Sequence, residues 1–194
     1  MLAIHKYISP EEYLKLEDKA EMKSEYIDGE IVAMSGAKFY HNKIQVNITV
    51  VLSNQLEAIG CEGLSSEMRL RIPACNRYYY PDLMFICEPE ELEIREGLEN
   101  LLNPSIIVEL LSPSTEKFDR GDKLACYKTI QSLQYYLLVS HDKPLVEIYS
   151  RLDELSWAYE GISGIDSTLI LDKLECSVKL ATIYRGVAFS EGQI

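Results

Sequence analysis

The sequence predicts one α/β domain over residues 1–194, with a mixed central sheet, an added N-terminal helix and an added hairpin. Three observations carry this. "DLMFIC" (82–87) and "SIIVELL" (105–111) are short, nearly continuous apolar runs, the pattern of strands covered on both faces. Residues 38–59 place Ile44, Ile48, Val51, Leu52, Leu56 and Ile59 at helical spacing. Strand-like and helix-like segments also alternate along the chain, with no repeat and no linker-like stretch between them.

The elements follow in order. Ser9 caps a helix, Pro10 is its first residue and Glu12 closes a capping box, so a helix runs to about Lys19. In "SEYIDGEIVAM", Asp28-Gly29 stands between two apolar runs, a strong short hairpin signal. The long helix stops at Gly60. In "SEMRLRIP", Met68, Leu70 and Ile72 face one way and Arg69 and Arg71 the other, which predicts a half-buried strand. "CEPEELEIREGLEN" carries six glutamates against Arg95 and reads as a solvated segment. A second helix fits "DRGDKLACYKTIQ", and "YYLLVS" and "LVEIYS" form a hairpin around His141-Asp142-Lys143-Pro144. "LSWAYE" and "STLIL" extend the sheet, and "SVKLATIYRGV" reads as a closing helix.

Composition limits the function classes. No apolar run reaches the roughly 20 residues of a membrane helix, and the N-terminus lacks a long apolar leader region. A soluble cytoplasmic protein without membrane contact is expected. The five cysteines, Cys61, Cys75, Cys87, Cys126 and Cys176, are odd in number and show no C-x-x-C spacing. They read as buried thiols in a reducing compartment, not as a disulfide framework or a zinc site. The net charge of −12 repels nucleic acid at long range, which opposes a DNA-binding role.

Two carboxylates stand where a charge needs a reason. Asp82 follows Pro81 at the mouth of "LMFIC", and Glu109 lies inside "IIVELL" on the face of Ile107 and Leu111. Taken singly, each is explained by a solvated strand end or an arginine partner. If the strands are neighbours, the two converge, and paired carboxylates suit Mg²⁺ or Mn²⁺. Lys123, at the start of the next helix and four residues before Tyr127, could point into the same cleft. Glu25 precedes the first hairpin strand, and His41 lies on the stripe of Ile44 and Ile48, where a histidine is more often core than ligand. No P-loop, G-x-S-x-G or dinucleotide fingerprint is present.

"YPDLMF", "PSIIVELLSPSTEKFDRGDKLACYK", "LQYYLLVSHDKPLVEIYSR" and the upstream "KSEYIDGEIVAMSGAKFYHNKIQVNI" together closely resemble the Uma-type restriction endonuclease family. That family belongs to the PD-(D/E)xK nuclease superfamily, and the resemblance covers roughly residues 8–185. It implies a restriction-endonuclease-like αβββαβ core. It implies Asp82 and Glu109 as metal-binding acids, with a backbone carbonyl near Leu110 completing the metal shell. The superfamily's acid-x-lysine is absent, because Leu111 stands two residues after Glu109. Lys123 matches the family's displaced lysine, Glu25 its N-terminal glutamate and His41 its helix-start histidine, with Tyr127 in support.

The resulting expectation is a Mg²⁺- or Mn²⁺-dependent endonuclease hydrolysing DNA, active as a homodimer. Arg69, Arg71, Lys38 and Lys43 are its candidate phosphate contacts. The alternatives are a nuclease fold that binds without cutting, and a hydrolase of another phosphate ester, RNA or a nucleotide.

Overall fold

The computed structural model describes residues 7–34, 36 and 38–189. Helix α1 (Pro10–Glu17) opens on the expected box: the Ser9 hydroxyl accepts from the Glu12 amide, and the Glu12 carboxylate accepts from the Ser9 amide. Strands β1 (Ser24–Ile27) and β2 (Glu30–Ala33) pair around Asp28 and Gly29, both at positive φ, the conformation a two-residue hairpin turn demands. Helix α2 (Phe39–Leu56) runs on through a 3₁₀ turn to Gly60, whose φ of 81° ends it.

Six strands form the central sheet. Its order is β12 (Trp157–Ser163), β11 (Leu145–Arg151), β10 (Tyr135–Ser140), β9 (Ile106–Leu111), β6 (Leu83–Ile86), β3 (Glu62–Ser65). β9 and β10 are parallel and the other neighbours antiparallel. The crossover from β9 to β10 is helical: α3 (Glu116–Phe118), a π-helical turn (Asp119–Lys123) and α4 (Leu124–Tyr127). The order α2, β3, β6, β9, crossover, β10 is the αβββαβ core of the restriction-endonuclease-like fold. A second six-stranded sheet holds the β1–β2 hairpin, β5 (Arg77–Tyr79), β4 (Leu70–Ile72), β8 (Leu98–Leu101) and β7 (Leu92–Arg95).

Layering follows from the side-chain alternation of strands. Leu83, Phe85, Val108 and Leu110 bury against the α2 stripe of Ile44, Ile48, Leu52 and Leu56. Met84, Ile107, Leu111, Tyr136 and Leu138 face the other way, against Tyr127 and the second sheet's Leu70, Ile72 and Tyr79. At about 25 cal/mol per Å² of apolar surface, each fully buried leucine or isoleucine contributes about 1.5–3 kcal/mol. Glu109 belongs to the second face, so its carboxylate lies between the two sheets.

Several expectations are overturned. The acid-rich "CEPEELEIREGLEN" contains the β7–β8 hairpin, turning at Glu96 and Gly97, both at positive φ. Glu93 earns its place there by accepting from the Tyr78 hydroxyl at 2.9 Å. The helix expected over 119–131 begins at Glu116 and stops at Tyr127. "STLIL" does not extend the central sheet: β13 (Thr168–Leu171) pairs only with β14 (Cys176–Lys179). The expected closing helix over 177–187 therefore opens as strand, because Cys176 and Val178 alternate inward while Ser177 and Lys179 point out. Only α5 (Leu180–Ile183) is helical.

The cysteines depart from expectation as well. Cys61 is bonded to Cys87, and Cys75 to Cys126, leaving Cys176 as a buried free thiol. The reason is tertiary. β3 and β6 pair with Glu62 opposite Ile86, which sets Cys61 and Cys87 side by side just beyond that register.

Arg69 and Arg71 are also buried, at 5% and 7% exposure, because the second sheet is covered where they point. Arg69 donates to Asn100 and Tyr80. The Arg71 guanidinium lies 4.5 Å from the Tyr78 ring centroid. Neither arginine reaches solvent to meet a phosphate. Lys43 sets its ammonium over Phe39 and beside Gly186, and Lys38 stands exposed ahead of α2.

Candidate functional site

Asp82 sits at the bend between Tyr80 and β6, where Pro81 lacks the amide a ladder would use. The chain turns there, so the carboxylate emerges at the strand mouth. Asp82 Oδ2 accepts the Leu110 amide at 2.8 Å, and Oδ1 lies 3.1 Å from His41 Nε2. Gln45, one turn further along α2, donates to the Asp82 backbone carbonyl at 2.7 Å. Two side chains of α2 thus hold Asp82 against the backbone one residue past Glu109.

Glu109 is 5% exposed. Its Oε1 accepts from Lys123 Nζ at 3.0 Å and from the Tyr127 hydroxyl at 2.7 Å. These donors are four apart on the crossover and present one face. Lys123 is itself 5% exposed and also lies 3.0 Å from Glu25 Oε1 and 3.7 Å from Asp119 Oδ1. Glu25 in β1 is held in turn by the Tyr80 amide at 3.3 Å. The Tyr79 ring lies 5.1 Å from the ammonium. Segments far apart in sequence are therefore joined: Lys123 links β1, β9 and the crossover, and Asp82 links α2 and the 80–82 bend to the next residue of β9. Each candidate, Glu25, His41, Asp82, Glu109, Lys123 and Tyr127, lies in this cluster.

Asp119 is the site residue that sequence reasoning passed over. It is 2% exposed, and its Oδ1 has no hydrogen-bond partner. The available signal was its spacing: acid four residues before lysine on one helix face. Gln45, four residues after His41, carried the same kind of signal. The π-helical turn spans Asp119 to Lys123, a distortion found often at functional sites.

Three carboxylates, Glu25, Glu109 and Asp119, thus gather around one ammonium. Burial raises the Glu109 carboxyl to about 8; Lys123 opposes the rise, while Asp119, Asp82 and Glu25 add to it. Burial likewise raises Asp119. Burial lowers Lys123, but Glu109, Glu25 and Asp119 outweigh it and hold the ammonium charged above its ordinary range. Tyr127 is raised well above its usual value by burial and by Glu109, so its hydroxyl stays protonated and donates.

Among the described residues, no three His, Cys, Asp or Glu side chains form a ready metal cage. The chemistry of the donors still fits a hard divalent cation. The groups are oxygens, negative charge exceeds positive, and Asp119 Oδ1 is a buried acceptor without a donor.

Comparison with known proteins places this geometry in a group. A family model described as "Putative restriction endonuclease", Uma2, matches residues 10–182. Two uncharacterized proteins of Synechocystis sp. are similar over most of their length. One is 36% identical over 182 residues, covering 94% of each chain. The other is 35% identical over 164 residues, covering 84% of this chain and 92% of its own. A solved structure, described as a putative nuclease belonging to DUF820 from Anabaena variabilis, superposes with a TM-score of 0.71 at 22% identity. The match covers 91% of this chain and 97% of that one, and shows the shared fold.

Proposed function

The chain belongs to the Uma2 restriction endonuclease family, and from that premise we propose that it is a divalent-metal-dependent phosphodiesterase that cuts DNA. One observation supports this above the rest: Lys123 pairs with the buried Glu109, and Asp82 is held by the amide of the next residue, Leu110, so three separate segments bring their charged side chains to one end of β9. Asp82, Glu109 and the Leu110 carbonyl are the groups that would hold Mg²⁺ or Mn²⁺. Such an ion, when bound, neutralises a scissile phosphate and makes a water more acidic.

The chain's own residues supply position and charge. His41 and the Leu110 amide fix both oxygens of Asp82. Tyr127 pins Glu109 Oε1, which orients the other oxygen. Lys123 stays cationic among its acids and can place its ammonium against a developing negative charge on phosphorus. Glu25 steadies Lys123 from the β1 side.

The test is cleavage of plasmid and linear DNA with Mg²⁺ or Mn²⁺, beside the Asp82→Ala variant. Wild type cuts and the variant does not; equal cutting by both would refute the assignment. RNA and nucleotide substrates under the same conditions decide the substrate class. A module that no longer cuts is the second reading, and the net charge of −12 favours it. Calorimetric titration with Mn²⁺ separates the two, because the nuclease takes up the ion. We propose a homodimer for cutting both strands, since two sites related by a two-fold axis match a duplex. No helix among the described residues is long and apolar enough to cross a membrane.

A further inference from the structure

The central sheet continues past the acidic cluster to an open edge. Register places Glu109 beside Leu138, Leu138 beside Glu147 and Glu147 beside Gly161. The neighbouring row runs Ile107, Tyr136, Tyr149, Tyr159, and Arg151 lies opposite Trp157 one pair further on. All these side chains share the Glu109 face, because directly paired residues point the same way. At a strand spacing of about 4.8 Å, the edge row lies about 14 Å from the Glu109 row.

That edge is aromatic. Tyr149 and Trp157 are half-buried, and Tyr159 is 58% exposed. The Tyr149 and Tyr159 rings stand 5.0 Å apart. Lys128, just after α4, lies 5.3 Å from the Tyr149 ring and 5.9 Å from the Trp157 ring. Among the described residues Lys128 has no carboxylate within 4.0 Å, so its charge is available. Glu147, the carboxylate of this face, is neutralised by Arg120, which donates to both its oxygens. The Tyr159 hydroxyl also donates to Glu147, at 3.3 Å, which fixes the ring. Glu160 lies on the opposite face, paired with Ile148 of the α2-side core.

If these aromatics only sealed the sheet, Tyr159 would not stand open at the edge strand. We infer that the Tyr149, Trp157 and Tyr159 edge, with Lys128, is a stacking platform for a single-stranded DNA flank leading to the Glu109 cluster. Aromatic rings accept the flat faces of bases, and an unpaired ammonium meets the phosphates between them. A duplex keeps its base faces stacked inside and cannot use such rings, so the occupant is a single strand. The inference rests on the nuclease reading for its direction toward Glu109, and binding itself is measured without cleavage.

Trp157 is the chain's one tryptophan, so its emission reports on the platform directly. The experiment titrates oligothymidylate into the full chain in EDTA at low salt. Saturable quenching is expected. Tyr159→Ala weakens binding at least about fivefold. Lys128→Gln flattens the slope of log K against log salt by about 0.7, one phosphate's share on a single strand.

The platform fails if quenching is absent, or if both variants leave it unchanged. It fails as a DNA site if oligouridylate binds tighter. It fails too if sedimentation shows a dimer that Tyr159→Ala breaks, because a second copy then covers the edge. Quenching without metal-dependent cleavage overturns the nuclease reading and leaves the platform standing. Cleavage that both variants leave unchanged, without quenching, does the reverse.

Discussion

Two regions of this molecule bury charge, and they do it differently. In the second sheet, Arg69 gives its protons to Asn100 and Tyr80, and Arg71 lies on the Tyr78 ring with Glu93 at 3.9 Å. These cations are spread among amide, hydroxyl and carbonyl oxygens and aromatic faces, with Glu93 the one carboxylate in ion-pair range. In the Glu109 cluster, three carboxylates face one ammonium, and Asp119 Oδ1 has no hydrogen-bond donor. The arginine region is not perfectly satisfied either, since Arg71 Nε lacks a hydrogen bond. The difference is one of sign and convergence. Burial of charge alone marks nothing; a converging excess of one sign marks a place built for a counter-charge the chain does not supply.

The sharpest way to break this contrast is to remove the central cation. Lys123→Met leaves Glu25, Glu109 and Asp119 buried together without it. Removing one partner of a buried ion pair costs about 3–5 kcal/mol, and the loss here falls in that range in urea denaturation above pH 8. Arg71→Met, the matching change in the other region, costs only about 1–3 kcal/mol, because its hydrogen-bond acceptors are carbonyls and the Glu93 carboxylate it leaves is 3.9 Å away and partly exposed. Equal losses would erase the distinction.

Activity separates the regions next. Asp82→Asn lowers metal-dependent DNA cleavage more than about a hundredfold, since partners one step behind a metal ligand already cost about 10–100-fold. Arg69→Met leaves cleavage per folded molecule unchanged. Tyr127→Phe falls between them. It deletes the 2.7 Å hydrogen bond to Glu109 and lowers Mn²⁺ affinity by about 10–100-fold, with about 1 kcal/mol of stability lost. Calorimetry with Mn²⁺ and urea denaturation read the two effects separately.

The contrast was only half legible in the sequence. Local signals were sufficient for α1, the Asp28-Gly29 hairpin and α2, where capping, turn chemistry and spacing all act within a few residues. Asp82 and Glu109 stood out because a charge in an apolar strand needs a reason. Helix spacing offered Lys123 for the same cleft, whereas Glu25 and His41 joined the site only through the family resemblance, since nothing local says that β1 and α2 reach the mouth of β6. Arg69 and Arg71 misled because alternation names a face without saying what covers it. The β7–β8 hairpin was hidden by its glutamates, and β14 by a pattern short enough to read as helix. Cys61 and Cys87 needed the β3–β6 register, which no spacing along the chain reveals.

The pH dependence of stability is the prediction whose sign is most diagnostic. An ordinary glutamate releases its proton near 4.5, whereas Glu109 in the folded chain keeps it to about 8. Between those values the folded state binds a proton that the unfolded state has lost. Stability therefore falls as pH rises from about 4.5 to 8, by up to about 1.36 kcal/mol per pH unit, and levels off above. Asp119, raised in the same direction, adds to the fall. Lys123 stays charged in both states throughout this window and does not reverse it. Denaturation in EDTA between pH 5 and 9 measures the slope, and Glu109→Gln flattens it (the amide has no proton to lose). The arginine region has no carboxyl of this kind, so Arg69→Met leaves the slope intact. A divalent cation taking the place of that proton links this profile to the proposed chemistry: Mn²⁺ binding below pH 8 releases protons, and the heat of binding changes with buffer ionisation enthalpy. Binding that releases no proton at pH 7 would place the ion away from Glu109.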